Sequence, residues 1–249
     1  IATLAHIFRH PVKSIGYEPL DRVAVAPGAA LPWDRHWAVA HENAKFDGNP
    51  EAWQRKLNFL RGVTQPDLMA IRSDLDEATG RLTLSHPRAE TITLDPMTES
   101  ARLLDWLAPL WGADLPAPRN VVHVPGQAMT DWPDPFISIL GTGSLDALSD
   151  QAGAPLSPHR FRGNLWVEGW APFEEFDLIG RTLRIGAAEL EIRARITRCK
   201  ATCANPETGE RDVDTLALLN GTYGHQDFGV YALVTRPGEI AAGDTVEIA

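Results

Sequence analysis

Glu189-Leu190-Glu191-Ile192-Arg193-Ala194-Arg195-Ile196-Thr197-Arg198-Cys199-Lys200-Ala201-Thr202 is a β-rich run that stops on a cysteine set between two basic residues, just before the turn Asn205-Pro206-Glu207-Thr208-Gly209. The thiolate is the form of cysteine that attacks or binds metals, and flanking cations favour it over the thiol. Cys199 is therefore a candidate ligand or nucleophile. On spacing alone the leading reading is a small buried apolar side chain at the end of the β-rich run Glu189 to Ile196.

Outward from this run, the 20 glycines and 19 prolines break the chain into short segments such as Thr3 to Phe8, Val23 to Ala26, Leu82 to Ser85, Thr91 to Leu94 and Leu183 to Ile185. Many short, turn-bounded segments with alternating or β-branched side chains read as strands of a sandwich or barrel, so the fold class is mainly β with a few short helices. The clearest helix is Glu99 to Trp111, with Leu103, Leu104, Leu107, Leu110 and Trp111 at helical spacing and Gly112 as its stop. Its tryptophans read as core anchors. A second helix is expected from Ser144, as N-cap, to about Gln151, and a third from Asp212 to Leu219. A short helix near Glu51 to Leu57 is the one feature legible between His41 and Gln65. The Pro-rich stretch Leu115 to Pro118 is the best linker, dividing an N-terminal β domain at 1–114 from a C-terminal one at 115–249.

Composition sets bounds. At 249 residues and 44% hydrophobic content the chain can bury real cores, and its formal charge of −10 argues against a nonspecific nucleic-acid or membrane-surface binder. No apolar run approaches the roughly 20 residues of a membrane helix. The two cysteines, four apart, form no disulfide framework, which favours a reducing cytoplasm; a removed leader before Ile1 is left open.

The chain also carries His10-Pro11-Val12-Lys13-Ser14, Asp34-Arg35-His36-Trp37, Ser138-Ile139-Leu140-Gly141-Thr142-Gly143-Ser144-Leu145, Arg160-Phe161-Arg162-Gly163-Asn164 and Gln226-Asp227-Phe228-Gly229-Val230-Tyr231. In this order, with the Arg-Cys segment between the last two, the strings resemble the MOSC family, named for the C-terminal domain of molybdenum cofactor sulfurase. The resemblance extends to the family's N-terminal β domain and covers nearly the whole chain. It is nearest the branch containing the mitochondrial amidoxime reducing component and its bacterial relatives.

The resemblance implies two β-rich lobes, the second a MOSC β-barrel, meeting at a cleft that binds molybdenum cofactor (Mo-molybdopterin), a pterin dithiolene with a phosphate tail. Arg suits phosphate through bidentate charge-assisted bonds, and a soft thiolate suits the metal. By resemblance, Lys13, Ser14 and Arg35 meet the cofactor from the first domain; Thr142, Ser144, Arg162 and Asn164 from the second; Thr197 and Arg198 hold it, and Cys199 is the molybdenum ligand. Tyr231 falls beside the site, where its phenol could donate to an oxo group or substrate.

Read without the resemblance, Lys13 is a solvated turn residue, Arg35 half of a surface pair with Asp34, and Tyr231 a barrel-wall aromatic. The Gly141-to-Ser144 turn is either an anion-welcoming helix start or a plain capped turn. Arg160 and Arg162, flanking Phe161, would share one face of a strand. His225 and Asp227 are further candidates for proton transfer. His10 stands where relatives often have tyrosine, and could alter the cleft lining. Cys203 is a small core residue or a resolving thiol; a zinc site on the two cysteines would lack two ligands.

The activity implied is a molybdenum oxidoreductase that removes oxygen from small N-hydroxylated substrates. With no four-cysteine cluster pattern, electrons would come from a separate flavoprotein, iron-sulfur or haem protein. The net negative charge favours neutral or cationic substrates. A noncatalytic carrier of the cofactor or its sulfur, and a metal-free binding module, are the competing readings.

Overall fold

The computed structural model describes residues 1–249. In chain order, β1 (Ala2–Arg9), β2 (Glu18–Leu20) and β3 (Arg22–Val25) come first. They are followed by β4 (Ala38–His41), the hairpins of β5 (Arg72–Asp76), β6 (Arg81–His86) and β7 (Ala89–Leu94), helix α1 (Ser100–Trp111) and β8 (Pro118–Val122). The second half holds β9 (Ile137–Gly141), α2 (Thr142–Ala152), β10 (Leu165–Glu168), β11 (Thr182–Ile185), β12 (Ala188–Thr197), α3 (Thr215–Tyr223), β13 (Asp227–Arg236), β14 (Gly238–Ala241) and β15 (Thr245–Ile248).

Seven strands close a barrel in the order β10, β9, β13, β12, β11, β15, β1, and β1 returns to pair with β10. Only β9 and β10 run parallel. Closure removes the open edges that β10 and β15 would otherwise present. Along β13, Phe228, Val230, Ala232 and Val234 are buried at every second position, the period that sends one face of a strand inward. Of these, Val230, Ala232 and Val234 join Leu4, Ile7, Leu165 and Leu190 in the barrel core, while Phe228 packs with Phe161 and Trp166 in a neighbouring cluster.

The smaller lobe packs α1 against β7 and β8. Leu103, Leu107, Leu110 and Trp111 form the buried stripe of α1, and Gly112, at φ 97°, ends it. Trp111 is in the core of this lobe and Trp106 packs at its margin.

In space the two lobes exchange strands across the 114/115 boundary. β1 is a barrel stave, β2 extends it, and β3 pairs with β14, so these three strands belong to the larger lobe, while Val12 and Ile15 between β1 and β2 pack in the core of the smaller one. β8, beyond the expected linker, pairs with β4 of the smaller lobe. The reason is hydrogen bonding: β1 supplies the partner for both barrel edges, and β8 the partner for β4. The chain therefore dips into the smaller lobe between β1 and β2, enters it again after β3, and returns to the larger lobe between β8 and β9.

Three helix expectations shift. α2 begins at Thr142 with Gly141 as N-cap, and the Ser144 hydroxyl caps nothing because it faces Glu175. α3 begins at Thr215, capped by the Asp214 carboxylate on the Ala217 amide. The expected helix at Glu51 to Leu57 is one 3₁₀ turn, Lys56–Asn58.

Candidate functional site

The segment His10–Ser14 lies beside Arg35–Trp37, fixed by Lys13 N–H to Trp37 O at 2.8 Å and Arg35 N–H to His10 O at 2.7 Å. These two segments form one wall of a cleft of ≈ 310 Å³ between the lobes; β12 and the turn after it, β13, the Arg160–Asn164 loop and the 56–69 and 130–138 segments form the rest. Lys13, Ser14, Arg35, Arg162, Asn164, Thr197, Arg198, Cys199 and Tyr231, far apart in sequence, all line it. Thr142 and Ser144 do not.

Ser14, Arg35 and Arg162 are three of the five non-glycine residues with positive φ, at 61°, 47° and 47°. Such conformations are costly and persist where surrounding structure imposes them, commonly at functional sites. Here the imposing contacts are cross-lobe. Arg162 donates to Gly16 O at 3.0 Å and Val12 O at 3.3 Å, and Arg35 donates to Arg162 O at 2.8 Å.

The electrostatics oppose those of the whole molecule. Seven cations line the cleft (Lys13, Arg35, Lys56, Arg61, Arg160, Arg162, Arg198) against one carboxylate, Asp131. Lys13 and Lys56 share Asp131, at 2.6 and 3.0 Å. Arg35 pairs with buried Asp34, and Arg160 with Asp212 at 2.7 Å. Arg162 and Arg198 have only carbonyl partners, those of Arg198 being Phe228 O and Phe161 O. Burial pushes Arg162 down to about 9 and Arg198 to about 10, and Arg35 adds repulsion to each. Cations held this way without a counter-charge suit an anionic ligand.

Next to Arg198 in the chain, Cys199 is exposed just past the C-terminal end of β12, where the strand gives way to a 3₁₀ turn, Lys200–Cys203. It is the chain's one exposed thiol. Tyr231 stacks on Phe136 at 4.9 Å, and burial raises its phenol above the ordinary value. The Thr197 hydroxyl donates to Asp227 at 2.6 Å. Nowhere do three or more His, Cys, Asp or Glu side chains converge as a metal site. A metal here would have to bring most of its ligands with it.

Several expectations change. The start of α2 is closed to outside anions: the Ser144 hydroxyl donates to both oxygens of buried Glu175, at 2.9 and 2.8 Å, and a Cβ on Gly143 would meet Trp170 O at 2.4 Å. Thr142 donates to Val167 O. Arg160 and Arg162 sit on no strand. Pro158–Phe161 is a 3₁₀ turn and Arg162 its left-handed cap, so Arg160 is drawn away to Asp212 and Cys203 O. Asn164 lines the cleft, yet its side-chain oxygen accepts from Ser138 and its amide donates to Phe8 O, stitching β9 to β1. Asp34 is buried and Arg35 partly so, and fully buried His10 backs the pair from behind the cleft: its backbone N–H donates to Asp34 at 2.8 Å. His225 packs among Phe173, Phe176 and Tyr223, outside the cleft. Cys203 is buried against Thr215 at 3.6 Å, a core residue.

Sequence reasoning missed Lys56, Arg61 and Asp131. The first two fall in the unreadable 41–65 interval. Asp131 had a signal in the turn-rich Asp131-Trp132-Pro133-Asp134-Pro135, which cannot form a strand and so must cross the surface.

The family model described as the MOSC domain matches residues 129–247, and that of the MOSC N-terminal beta barrel domain matches 1–119. The chain belongs to the MOSC family. Among its curated relatives, molybdenum cofactor sulfurase of Drosophila grimshawi is 32% identical over 96% of this chain and 34% of its own length. That of Anopheles gambiae is 39% identical over 35% of this chain and 10% of its own length. The chain thus spans about a third or less of these relatives. Among solved structures, the YuaD protein from Bacillus subtilis matches over 99% of this chain and 94% of its own with a TM-score of 0.50 at 15% identity, a likeness of fold. No helix of this MOSC protein is long and apolar enough to cross a membrane.

Proposed function

We propose that this MOSC protein binds molybdenum cofactor in the inter-lobe cleft and reduces small N-hydroxylated substrates, with electrons delivered by a separate redox protein. One observation carries the reading: the only exposed thiol, Cys199, faces a cleft of seven cations and one carboxylate. The donor set fits the cofactor. Arg162 and Arg198 lack counter-ions, and with Arg35, Lys13 and Ser14 they would hold the phosphate and polar pterin edge. Cys199 would complete the metal's coordination, a role for a soft thiolate.

When bound, the cofactor supplies two-electron redox chemistry. The chain's part is to orient and protonate. Tyr231, protonated because burial raises its phenol, can donate a hydrogen bond to a substrate's N–O oxygen, and Phe136 fixes its ring. Reduction of an amidoxime to an amidine consumes two electrons and two protons and yields water.

Metal analysis of protein from a cofactor-sufficient host, followed by benzamidoxime turnover with a chemical reductant, tests the reading. Stoichiometric molybdenum with amidine formation supports it. Molybdenum-replete protein that reduces no N-hydroxylated compound, yet restores a cofactor-free molybdoenzyme, would establish the carrier in its place.

A further inference from the structure

We propose that Lys56 and Arg61 form a substrate-selecting subsite at the mouth of the cleft that takes an anionic group, so that the preferred substrates are N-hydroxylated compounds bearing a carboxylate. The inference rests on the proposed reductase reading and reverses the preference for neutral or cationic substrates that net charge alone suggests. Long-range fields follow the total charge, but a cleft with low-dielectric walls focuses its own.

Both residues line the cleft, and neither belongs to the strings that carry the family resemblance. Lys56 sits on the exposed 3₁₀ turn Lys56–Asn58 with half of its side chain in solvent. Lys56 lines the same cleft as Cys199 and Tyr231, so its ammonium adds positive charge to the space in which a substrate would react. Arg61 is partly buried, and no carboxylate of the chain lies within ion-pair distance of it. The one acid in the cleft, Asp131, is held by Lys13 and Lys56 together, which leaves the trio with a net positive charge. A cationic substrate entering here meets repulsion from several sides. An anionic one finds the Arg61 fork vacant and Lys56 partly so; bidentate Arg–carboxylate pairing gives the contact its direction.

The test uses molybdenum-replete protein and two probes that differ by one charge, benzamidoxime and para-carboxybenzamidoxime. Affinity is measured by calorimetry, kcat and KM by amidine formation, each at low and physiological ionic strength. The carboxylated probe is expected to bind about tenfold more tightly at low salt, with the advantage in KM and shrinking as salt screens it. Arg61→Gln, which orphans no carboxylate, should collapse the ratio towards one, and Lys56→Gln should lower it. A ratio near one in the unaltered protein, absence of binding by the carboxylated probe, or an unchanged ratio in Arg61→Gln overturns the inference. Selective binding without turnover of either probe sinks the reductase reading and leaves the anionic subsite standing.

Discussion

Replacing Asp131 with Asn removes the only carboxylate of the cleft and should weaken the fold while strengthening its grip on anions. Lys13 donates to Asp131 at 2.6 Å with 5% of its side chain exposed, whereas the carboxylate is 43% exposed. An exposed pair contributes about 0–1 kcal/mol and the loss of one partner of a buried pair costs about 3–5 kcal/mol. Half-screened Asp131 falls between, at about 2 kcal/mol, or roughly 4–8 °C in the unfolding midpoint of a chain this size. Burial alone would raise the Asp131 carboxyl, but Lys13 and then Lys56 outweigh it and hold it well below the ordinary 3.8. A depressed carboxyl contributes stability above the unfolded value and loses it as pH falls through the folded one. The difference between the two proteins should therefore be full at pH 7 and fade in acid. Urea unfolding checks this, and calorimetry with inorganic pyrophosphate checks the second half: with the internal anion gone, affinity should rise severalfold. Unchanged stability at pH 7 together with unchanged pyrophosphate affinity would refute the reasoning.

Two further predictions concern single sites. Cys199→Ser should abolish molybdenum retention and turnover, because it exchanges a soft donor for a hard one, while Cys203→Ser keeps both and loses about 1 kcal/mol of stability from its buried contact with Thr215; metal content and thermal melts of the two variants decide it. Burial raises the carboxyl of Glu175 above its ordinary 4.5, so the folded chain holds that proton where the unfolded chain has lost it, and stability falls as pH rises from the unfolded value to the folded one. Glu175→Gln should remove that slope at little cost near neutrality, and a stability–pH profile parallel to that of the parent protein would count against it.

The mainly β fold was legible because its strands advertise themselves: the β-rich run of β12 and the turn-bounded segments of β1, β6, β7 and β11 survive without tertiary context. The partnership of β1 was not, since nothing local in Ala2–Arg9 distinguishes a stave paired with Leu165–Glu168 from a strand of the smaller lobe. Local reasoning failed in the same way at Ser144. An N-cap consensus describes what a hydroxyl does when no carboxylate is near, and Glu175 arrives from 31 residues away. The cleft members found through the motif series share that dependence: Lys13 and Arg35 are neighbours only because Lys13 N–H reaches Trp37 O. Arg160–Phe161–Arg162 misled because period-two logic presumes an extended backbone, and the positive φ of Arg162 is not written in its side chain.

That left-handed arginine joins two roles, clamp and charge, which substitution can separate. Its fork bridges Gly16 O and Val12 O across the lobes, while its charge, repelled by Arg35 and paired with no acid, awaits an anion. Lysine keeps the charge but is a point donor and cannot span two carbonyls. Arg162→Lys should therefore lower the unfolding midpoint and keep pyrophosphate affinity within about threefold, consistent with the lesser geometric demand of a monodentate cation. Gln removes the charge that burial penalises and retains one donor for a carbonyl. Arg162→Gln should lose about tenfold in pyrophosphate affinity, the loss of one charge-assisted contact, and less stability than the lysine variant. Opposite rankings of the two variants in melting and in calorimetry are the expected signature. Were both to fall by the same amount in both assays, the guanidinium would be a structural clamp alone, and the case for an anion at this wall of the cleft would rest on Arg198 and Arg35 without it.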